Sequence, residues 1–223
     1  MSIKVQRYII SISIIFLIFT SCTTNRAEET RRTIEIYNQQ QREARLVQQT
    51  QREEARLALE TKLETYRGIV RETIERARDV GSPILIFNYY TRLPNSAGGV
   101  SCIFEFMNVS DKRIKYVYFT VVPYNAVDDI VTCTISRASS VTLEQTGYIA
   151  PFANNYEKFP SSFAGWENVW YNYNIRYMKI NRIEVVFEDN SRKTLSGNDI
   201  NSSILQPDIA TDRDFKIIID DGR

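Results

Sequence analysis

The chain has 223 residues, of which 28 are basic and 27 acidic, so its formal net charge is +1. A nearly neutral chain is a poor candidate for nucleic-acid binding, because that function requires a basic face. Histidine is absent, which excludes Ser-His-Asp and Cys-His catalysis, histidine-ligated zinc and the usual general base near neutral pH.

The first 21 residues have the pattern of a cleaved leader. Residues 1–7 include two cations, and residues 8–19 are apolar apart from two serines. About a dozen apolar residues are too few to cross a bilayer, since a membrane-spanning helix needs roughly 20. A basic head, a short apolar run and small residues are typical of a signal peptide, and Cys22 stands where the pattern ends. We therefore expect residues 1–21 to be a signal peptide.

The segment Phe-Thr-Ser-Cys at 19–22 resembles the lipobox of bacterial lipoproteins. In that family the cysteine sulfur takes a diacylglyceryl group, and the cysteine becomes the new N-terminus and is usually acylated, for example with palmitate. Phe19 stands where the box prefers leucine, so this is a relaxed form of the motif. The resemblance implies an extracytoplasmic chain held to membrane lipid through Cys22. Thr23, in place of an acidic retention residue, favours the outer membrane if the host has two membranes. The alternative is an ordinary signal peptide with an incidental cysteine.

Residues 22–81 are predicted to form the lipid anchor and a helical stalk. Between residues 26 and 80 there is no proline and one glycine, and Gln, Glu, Arg and Ala dominate, all of which favour helices. Opposite charges recur three or four residues apart, which places them on one helix face. The helix is expected to end at Gly81, Ser82 and Pro83, because glycine caps a helix and proline cannot continue it.

The C-terminal half of the stalk has an apolar stripe at three-and-four spacing, whereas residues 38–54 are almost wholly polar. Three interpretations are open: a monomeric spacer, a coiled coil that oligomerises the chain, and packing of the stripe on the following domain. A coiled coil needs three or four apolar heptads, so we favour the spacer. The stripe comprises Leu59, Leu63, Tyr66, Val70, Ile74 and Ala77, and all but Ala77 are the candidate contacts of a homo-oligomer.

Residues 82–196 change to the two-residue period of strands. Short strands separated by turn residues predict an all-β sandwich, so the fold class is α+β by content, with a long N-terminal helix followed by an immunoglobulin-like sandwich. The tail, residues 197–223, is polar except for a candidate edge strand at 215–219. The predicted strands are 84–90, 100–107, 114–122, 130–136, 140–144, 168–177, 182–188 and 193–195.

Within this region, the segments 108–125, 167–175 and 183–191 resemble a set of poorly characterised bacterial extracytoplasmic immunoglobulin-like domains. The similarity covers most of residues 101–195, and it implies a fold without implying an activity. Members usually end the last motif with Asp-Gly. Asn190 stands in the glycine position here and is compatible with a left-handed turn.

An aromatic-rich segment supplies the candidate binding surface. Exposed tryptophan and tyrosine faces stack on sugars or anchor protein partners. In the alternative interpretation these side chains pack in the core, and alternation then places odd-numbered residues 169–177 on the core face. We favour core packing, since exposed aromatic patches are uncommon on monomers. The candidate surface comprises Trp166, Trp170, Asn172, Asn174 and Arg176.

Cys102 and Cys133 are candidates for a disulfide, since paired cysteines are common outside the cytoplasm. The alternative is two small buried apolar side chains. We favour this alternative, because a disulfide requires the two predicted strands to be neighbours in the right register. No further soft ligand stands at a useful spacing, so we expect no metal and no cofactor. The adjacent carboxylates of Asp128 and Asp129, and of Glu188 and Asp189, are expected to be solvated turn residues rather than paired catalytic groups.

These expectations favour a non-enzymatic lipoprotein that displays a β-sandwich to an unknown protein or envelope partner. Two alternatives come from other classes. One is an oligomeric coiled-coil spacer or scaffold of the cell envelope. The other is a carboxylate-based glycan hydrolase, which would need an exposed aromatic cleft with two facing carboxylates.

Overall fold

A computed structural model describes the backbone of residues 3–154 and 156–220, and the side chains of residues 28–154 and 156–219. The predicted signal peptide and the side chain of Cys22 therefore lie outside the described side chains. The chain divides into two compact units, Met1–Ala58 and Leu59–Arg223. The long helix α1 runs from Ile3 to Asp79.

In the first unit every described side chain of α1 is exposed. Its large apolar side chains do not share a face, because Leu46 is rotated by about 120° from Ile34 at the helical 3.6 residues per turn. Local ion pairs such as Arg56–Glu53, at 2.6 Å, support the helix instead. Among residues 28–154 and 156–219, no helix is long and apolar enough to cross a membrane.

The helix ends where the sequence predicts. Gly81 has a φ of 69° and its amide donates to Arg78 O, while the Ser82 amide donates to Ala77 O at 2.8 Å. These two bonds form a Schellman cap, which needs the left-handed conformation that glycine adopts without strain. Pro83 then directs the chain into the first strand.

The described residues of the second unit form nine strands, three short helical segments and the C-terminal part of α1. The strands are β1 (Ile84–Thr91), β2 (Gly99–Asn108), β3 (Ile114–Tyr124), β4 (Val141–Ile149), β5 (Phe159–Pro160), β6 (Ser162–Tyr171), β7 (Tyr177–Phe187), β8 (Arg192–Ser196) and β9 (Ile219–Asp220). The helices α2 (Asn198–Ser202) and α3 (Pro207–Ala210) and a 3₁₀ turn (Asp214–Ile217) precede β9.

Two antiparallel sheets form the predicted sandwich. Their strand orders are β1-β2-β6 and β4-β3-β7-β8, and a short parallel pair joins β5 to β9. The inner faces enclose one apolar core, in which the rings of Phe104 on β2 and Phe119 on β3 stack 4.2 Å apart. Alternate residues of β3 are buried, as expected for a strand with one face towards a core.

A second apolar core lies on the outer face of the three-stranded sheet. Leu85, Phe87 and Met107 project from this face and pack against the stripe of α1 and against the tail. Tyr66, Val70, Ile74 and Ala77 of the stripe are buried there, and Leu63 is partly buried. Of the five candidate homo-oligomer contacts Leu59, Leu63, Tyr66, Val70 and Ile74, the last three are therefore buried against their own chain.

The tail is an integral part of this unit. Phe215, Ile218 and Ile219 are buried in the second core, and Ile200 is buried in the sandwich core. Residues 203–205 run beside β1, where the Ile86 amide donates to Ser203 O and the Leu205 amide to Ile86 O. The free edge of β1 is therefore covered at Ile86, which limits its pairing with another chain there. The predicted edge strand 215–219 is mostly a 3₁₀ turn.

Two predicted strands differ in the structure. Residues 130–136 form a loop with a single bridge, Tyr124 to Ile130, and the turn at Cys133–Arg137 directs the chain away from the sheet. Residues 168–177 do not form one strand, because β6 ends at Tyr171 and β7 begins at Tyr177 after a turn. Both differences lie at the same end of the sandwich.

Candidate functional site

Three connections meet at one end of the sandwich, which we call the loop end. They are residues 92–98 between β1 and β2, residues 125–140 between β3 and β4, and residues 172–176 between β6 and β7. Antiparallel pairing brings them together, because Gly99 faces Tyr171 and Tyr124 faces Tyr177 at the ends of the ladders.

The 172–176 turn braces the other two connections. The Asn172 amide donates to Gly98 O, and its side-chain Nδ2 donates to Thr132 O, both at 2.9 Å. The Tyr173 hydroxyl donates to Ser96 O at 2.6 Å. One turn therefore holds the backbone of both neighbouring loops, which limits their motion.

Asparagine side chains fix the conformations of the loops themselves. The Asn95 Oδ1 accepts from the amides of Ala97 and Gly99, each at 2.9 Å. The Asn125 Oδ1 accepts from the amides of Val127 and Asp129 in the same way. Such bonds replace backbone pairing in turns, so these loops have defined conformations.

Large apolar side chains project from these braced loops. Five of them are between 57% and 75% exposed, and all three connections contribute. Single exposed apolar residues are ordinary, so several at one end of a domain make that end a candidate interaction surface. They are Leu93, Val127, Ile130, Ile135 and Tyr173.

Cations accompany the apolar side chains. Arg176 Nη1 donates to Tyr173 O at 2.7 Å, and Lys179 Nζ lies 4.4 Å from the centre of the Tyr124 ring. Lys179 also pairs with Asp128 at 3.2 Å. Tyrosine and arginine are enriched in protein interfaces, whereas lysine is more typical of a polar rim.

The structure places the predicted surface residues in different environments. Asn172, Asn174 and Arg176 lie in the loop-end turn, whereas Trp170 is only 1% exposed. Trp170 faces Val100 and fills the sandwich core, so its predicted place on an exposed face is wrong. The predicted alternation is inverted within β6, where Trp170 is buried and Val169 and Tyr171 are only partly buried, and it ends where the strand ends at Tyr171.

Trp166 is half-buried at the open side of the sandwich, where its Nε1 donates to Glu144 O at 3.1 Å. This bond joins β6 to β4, the edge strands of the two sheets. Trp166 is therefore a bridge between the sheets and not part of the loop end.

Cys102 and Cys133 are buried free thiols, so the proposed disulfide is wrong for this structure and the alternative of two buried side chains is what it shows. Burial raises the pKa of the Cys102 thiol to about 12. Burial also acts to raise the pKa of Cys133, but hydrogen bonds from Ser136 and from the Tyr171 and Ile135 amides outweigh it and lower the pKa to about 7. The Cys133 sulfur thus stabilises the loop as an acceptor.

The adjacent carboxylates are engaged in separate surface contacts. Asp128 pairs with Lys179, while Asp129 accepts a 3.4 Å bond from Asn125. Glu188 pairs with Arg113, and Lys112 on the neighbouring position holds the pKa of Asp189 well below its usual range. Within the part of the chain with described side chains, no three Cys, Asp or Glu residues are grouped as metal ligands.

Sequence reasoning missed the apolar residues of the loop end. Leu93 and Val127 stand in segments whose composition indicates turns, where an apolar side chain is unexpected, whereas Ile135 stands in the predicted strand 130–136. That conflict between residue type and local structure was the available signal.

Comparisons with known proteins add little. No family model matches the chain, and no curated protein matches it. A hypothetical protein from Peptoclostridium difficile 630 superposes with a TM-score of 0.33 at 13% identity, over 56% of this chain and 92% of that one. The trimeric lipoprotein SadB of Salmonella enterica superposes with a TM-score of 0.26 at 15% identity, over 77% of this chain and 97% of that one. Similarities this low support no statement about the function or assembly of this chain.

Proposed function

We propose that this chain is a non-catalytic lipoprotein that presents the loop end of an immunoglobulin-like sandwich to a protein partner outside the cytoplasm. The observation that carries the proposal is the set of five exposed apolar side chains on three mutually braced loops. The leader pattern and Cys22 support the anchor and the location.

The bracing matters because binding is weakened by the ordering of flexible groups. Loops that are already fixed by Asn95, Asn125, Asn172 and Tyr173 lose little conformational freedom when a partner binds. The apolar side chains then contribute through burial, at roughly 25 cal/mol per Å² of apolar surface removed from water. A rigid apolar surface is thus suited to stable recognition.

The strand order supports the immunoglobulin-like assignment. When the two-residue strands β5 and β9 are left out, the first, second and fifth strands form one sheet. The fourth, third, sixth and seventh form the other, so the first-second-fifth and third-sixth-seventh groupings of an immunoglobulin sandwich are both present. The fourth strand pairs with the third rather than with the fifth.

The arrangement of two carboxylates on the four-stranded sheet supports the proposal that the chain is not catalytic. Glu144 and Glu184 flank Tyr118 on the outer face of the four-stranded sheet, in register with it on either side. Glu184 is held by Arg192 at 2.7 Å and Arg182 at 3.0 Å. Two carboxylates on an open sheet face, one of them doubly paired, lack the cleft that glycan hydrolysis requires.

Site-specific photocrosslinking in intact cells tests the surface. A photoreactive phenylalanine analogue replaces Tyr173 or Leu93 at the loop end, and Tyr116 on the outer sheet face in the matched control. We expect the same crosslinked product from both loop-end positions and none from Tyr116. The double substitution Val127→Ser and Ile135→Ser should remove the product. Equal crosslinking from Tyr116 would contradict the proposal.

Intact mass and detergent partitioning test the anchor. The wild type should carry an acyl mass increase and enter the detergent phase, and Cys22→Ala should do neither. An unmodified, aqueous wild type would rule out the lipoprotein assignment while leaving the loop end to be tested separately.

A further inference from the structure

A cleft of about 760 Å³ opens between α1 and the connection from β4 to β6, at the end of the sandwich opposite the loop end. It is independent of the function proposed above. Its lining combines cations with apolar side chains, and the two groups are Arg67, Arg71 and Lys158, and Phe152, Tyr156 and Ile217.

One carboxylate within the cleft is shared by two guanidinium groups. Glu64 lies 3.2 Å from Arg67 Nη1 and 3.4 Å from Arg71 Nη1, and its side chain is 60% exposed. Strong charge-assisted bonds are about 2.7–2.9 Å long, so both contacts are loose. Glu64 therefore shows that a carboxylate fits between the two arginines, without holding them tightly.

Arg71 has one hydrogen-bond donor that is not used. Its Nε is buried and has no acceptor among the described residues. Its guanidinium lies 5.0 Å from the centre of the Tyr156 ring, which fixes the orientation of the planar group. Buried donors in proteins are almost always bonded, so this one indicates a group that completes the site.

The apolar side chains define the rest of the ligand. Phe152 and Tyr156 pack edge to face at 5.5 Å, beside the arginines. Ile217 of the tail adds an exposed apolar contact on the rim. A ligand that fits both parts carries a carboxylate and an adjoining apolar group.

We propose that this cleft binds a small organic carboxylate, whose oxygens bridge Arg67 and Arg71 in place of Glu64 while its apolar part packs on Phe152 and Tyr156. Lys158 adds a third positive charge to the lining, which also contains two negative charges, those of Glu64 and Glu157. Arginine suits this role because its planar fork matches carboxylate geometry.

Calorimetric titration of the full chain in non-ionic detergent tests the site. The probes are N-acetylphenylalanine, its uncharged amide, and inorganic phosphate. We expect the acid to bind with one-to-one stoichiometry and to shift the NMR signal of the Arg71 Nε–H. Binding of the amide as tightly as the acid, tighter binding of phosphate, or no binding of the acid at millimolar concentration would each overturn the proposal.

Two substitutions in the cleft should have opposite effects. Arg71→Gln should weaken binding of the acid about tenfold, since it removes a charged hydrogen-bond donor. Glu64→Gln should strengthen binding roughly threefold, because the competing carboxylate is lost. The control is Arg52→Gln, an exposed arginine of α1 outside the cleft, which should leave binding unchanged.

Circular dichroism and thermal unfolding establish that each variant is folded. If Arg71→Gln does not fold, the exposed Glu64→Gln substitution still decides the outcome. Affinity that is unchanged or weaker in Glu64→Gln contradicts the displacement of Glu64.

Discussion

The Tyr173 hydroxyl donates a 2.6 Å hydrogen bond to the backbone oxygen of Ser96, which joins the β6–β7 turn to the β1–β2 loop across 77 residues of sequence. Tyrosine at this position thus has an exposed ring for contact and a hydroxyl that fixes its position. The same residue stabilises the loop end and contributes to its surface.

Replacing Tyr173 with Phe should lower the free energy of unfolding by about 0.5–1.5 kcal/mol, because one hydrogen bond is lost and the ring is kept. Urea denaturation measures the change. Tyr148→Phe is the matched control, since Tyr148 is also exposed and its hydroxyl has no hydrogen bond in the described part of the chain. Equal effects of the two substitutions would show that the bond to Ser96 contributes nothing.

Two glycines should respond to alanine in opposite directions. Gly98 has a φ of +81°, and an added Cβ would lie 3.2 Å from the Tyr173 ring, so Gly98→Ala should destabilise the fold by about 1–2 kcal/mol. Gly68 lies within α1 with open space around it, so Gly68→Ala should stabilise by up to about 1 kcal/mol. Denaturant midpoints measure both. A stabilising Gly98→Ala would contradict the described turn.

Ile74→Ala tests which chain covers the helix stripe. Ile74 is fully buried in the second core, so truncation should lower the free energy of unfolding by about 2–5 kcal/mol. Ile34→Ala, at an exposed position of the same helix, should change it by less than about 0.5 kcal/mol. The loss should be the same at low and high protein concentration. A loss that shrinks with dilution would indicate that a second copy covers the stripe.

Acid should weaken the contact between α1 and the tail. Lys62 pairs with Asp212 at 2.9 Å and with Asp214 at 2.7 Å, and Lys62, followed by Tyr66, lowers the pKa of Asp212 to about 2 from an ordinary value of 3.8. Because the folded pKa is the lower one, this stabilisation is complete above about pH 4 and is lost as the pH falls towards 2.

In Lys62→Met, the free energy of unfolding should therefore fall less steeply between pH 4 and 2 than in the wild type. The difference in this free energy between the two proteins should be smaller at pH 2 than at pH 4. Unfolding in urea across this range measures it. The control is Lys115→Met, outside this contact. Parallel pH profiles for wild type and Lys62→Met would contradict the assignment.

Both buried thiols should be reduced and protected in the native chain. Alkylation of Cys102 and Cys133, located by peptide mapping, should be slow without denaturant and complete in denaturant without any reductant. Burial governs the rate here, even though the pKa of Cys133 is about 7. A requirement for reductant would show that the two cysteines are paired.

The elements that follow local rules were predictable from sequence. The end of α1 at Gly81 depends on adjacent residues alone, and the alternation along β3 follows from one buried face. The orientation of Trp170 depends instead on the register of β6 against β2, which shifts between Val100 and Cys102 and which no local pattern records. The tail was misjudged because its apolar residues are scattered among polar ones without a period. The burial of Phe215, Ile218 and Ile219 depends on packing against α1, about 150 residues earlier.

The candidate surface was harder to predict than the fold. Asn172 and Arg176 were identified, but as members of a strand rather than of a turn. Leu93 gave no periodic signal, since loops have none, and Ile135 was assigned to a predicted strand. Long-range pairing of the strand ends brings these residues together, and this pairing is visible only in the folded structure.

The position of the tail also determines when the domain can finish folding. A chain that emerges from a ribosome or a pore with its N-terminus first displays β1 before residues 203–205 exist to cover its edge, and the outer apolar face before Phe215 and Ile219 arrive. Until then the sandwich exposes the edge of β1 and the outer apolar face of its three-stranded sheet. Exposed surfaces of this kind are prone to aggregation. Completion of the second core therefore requires that the chain has been released as far as Ile219.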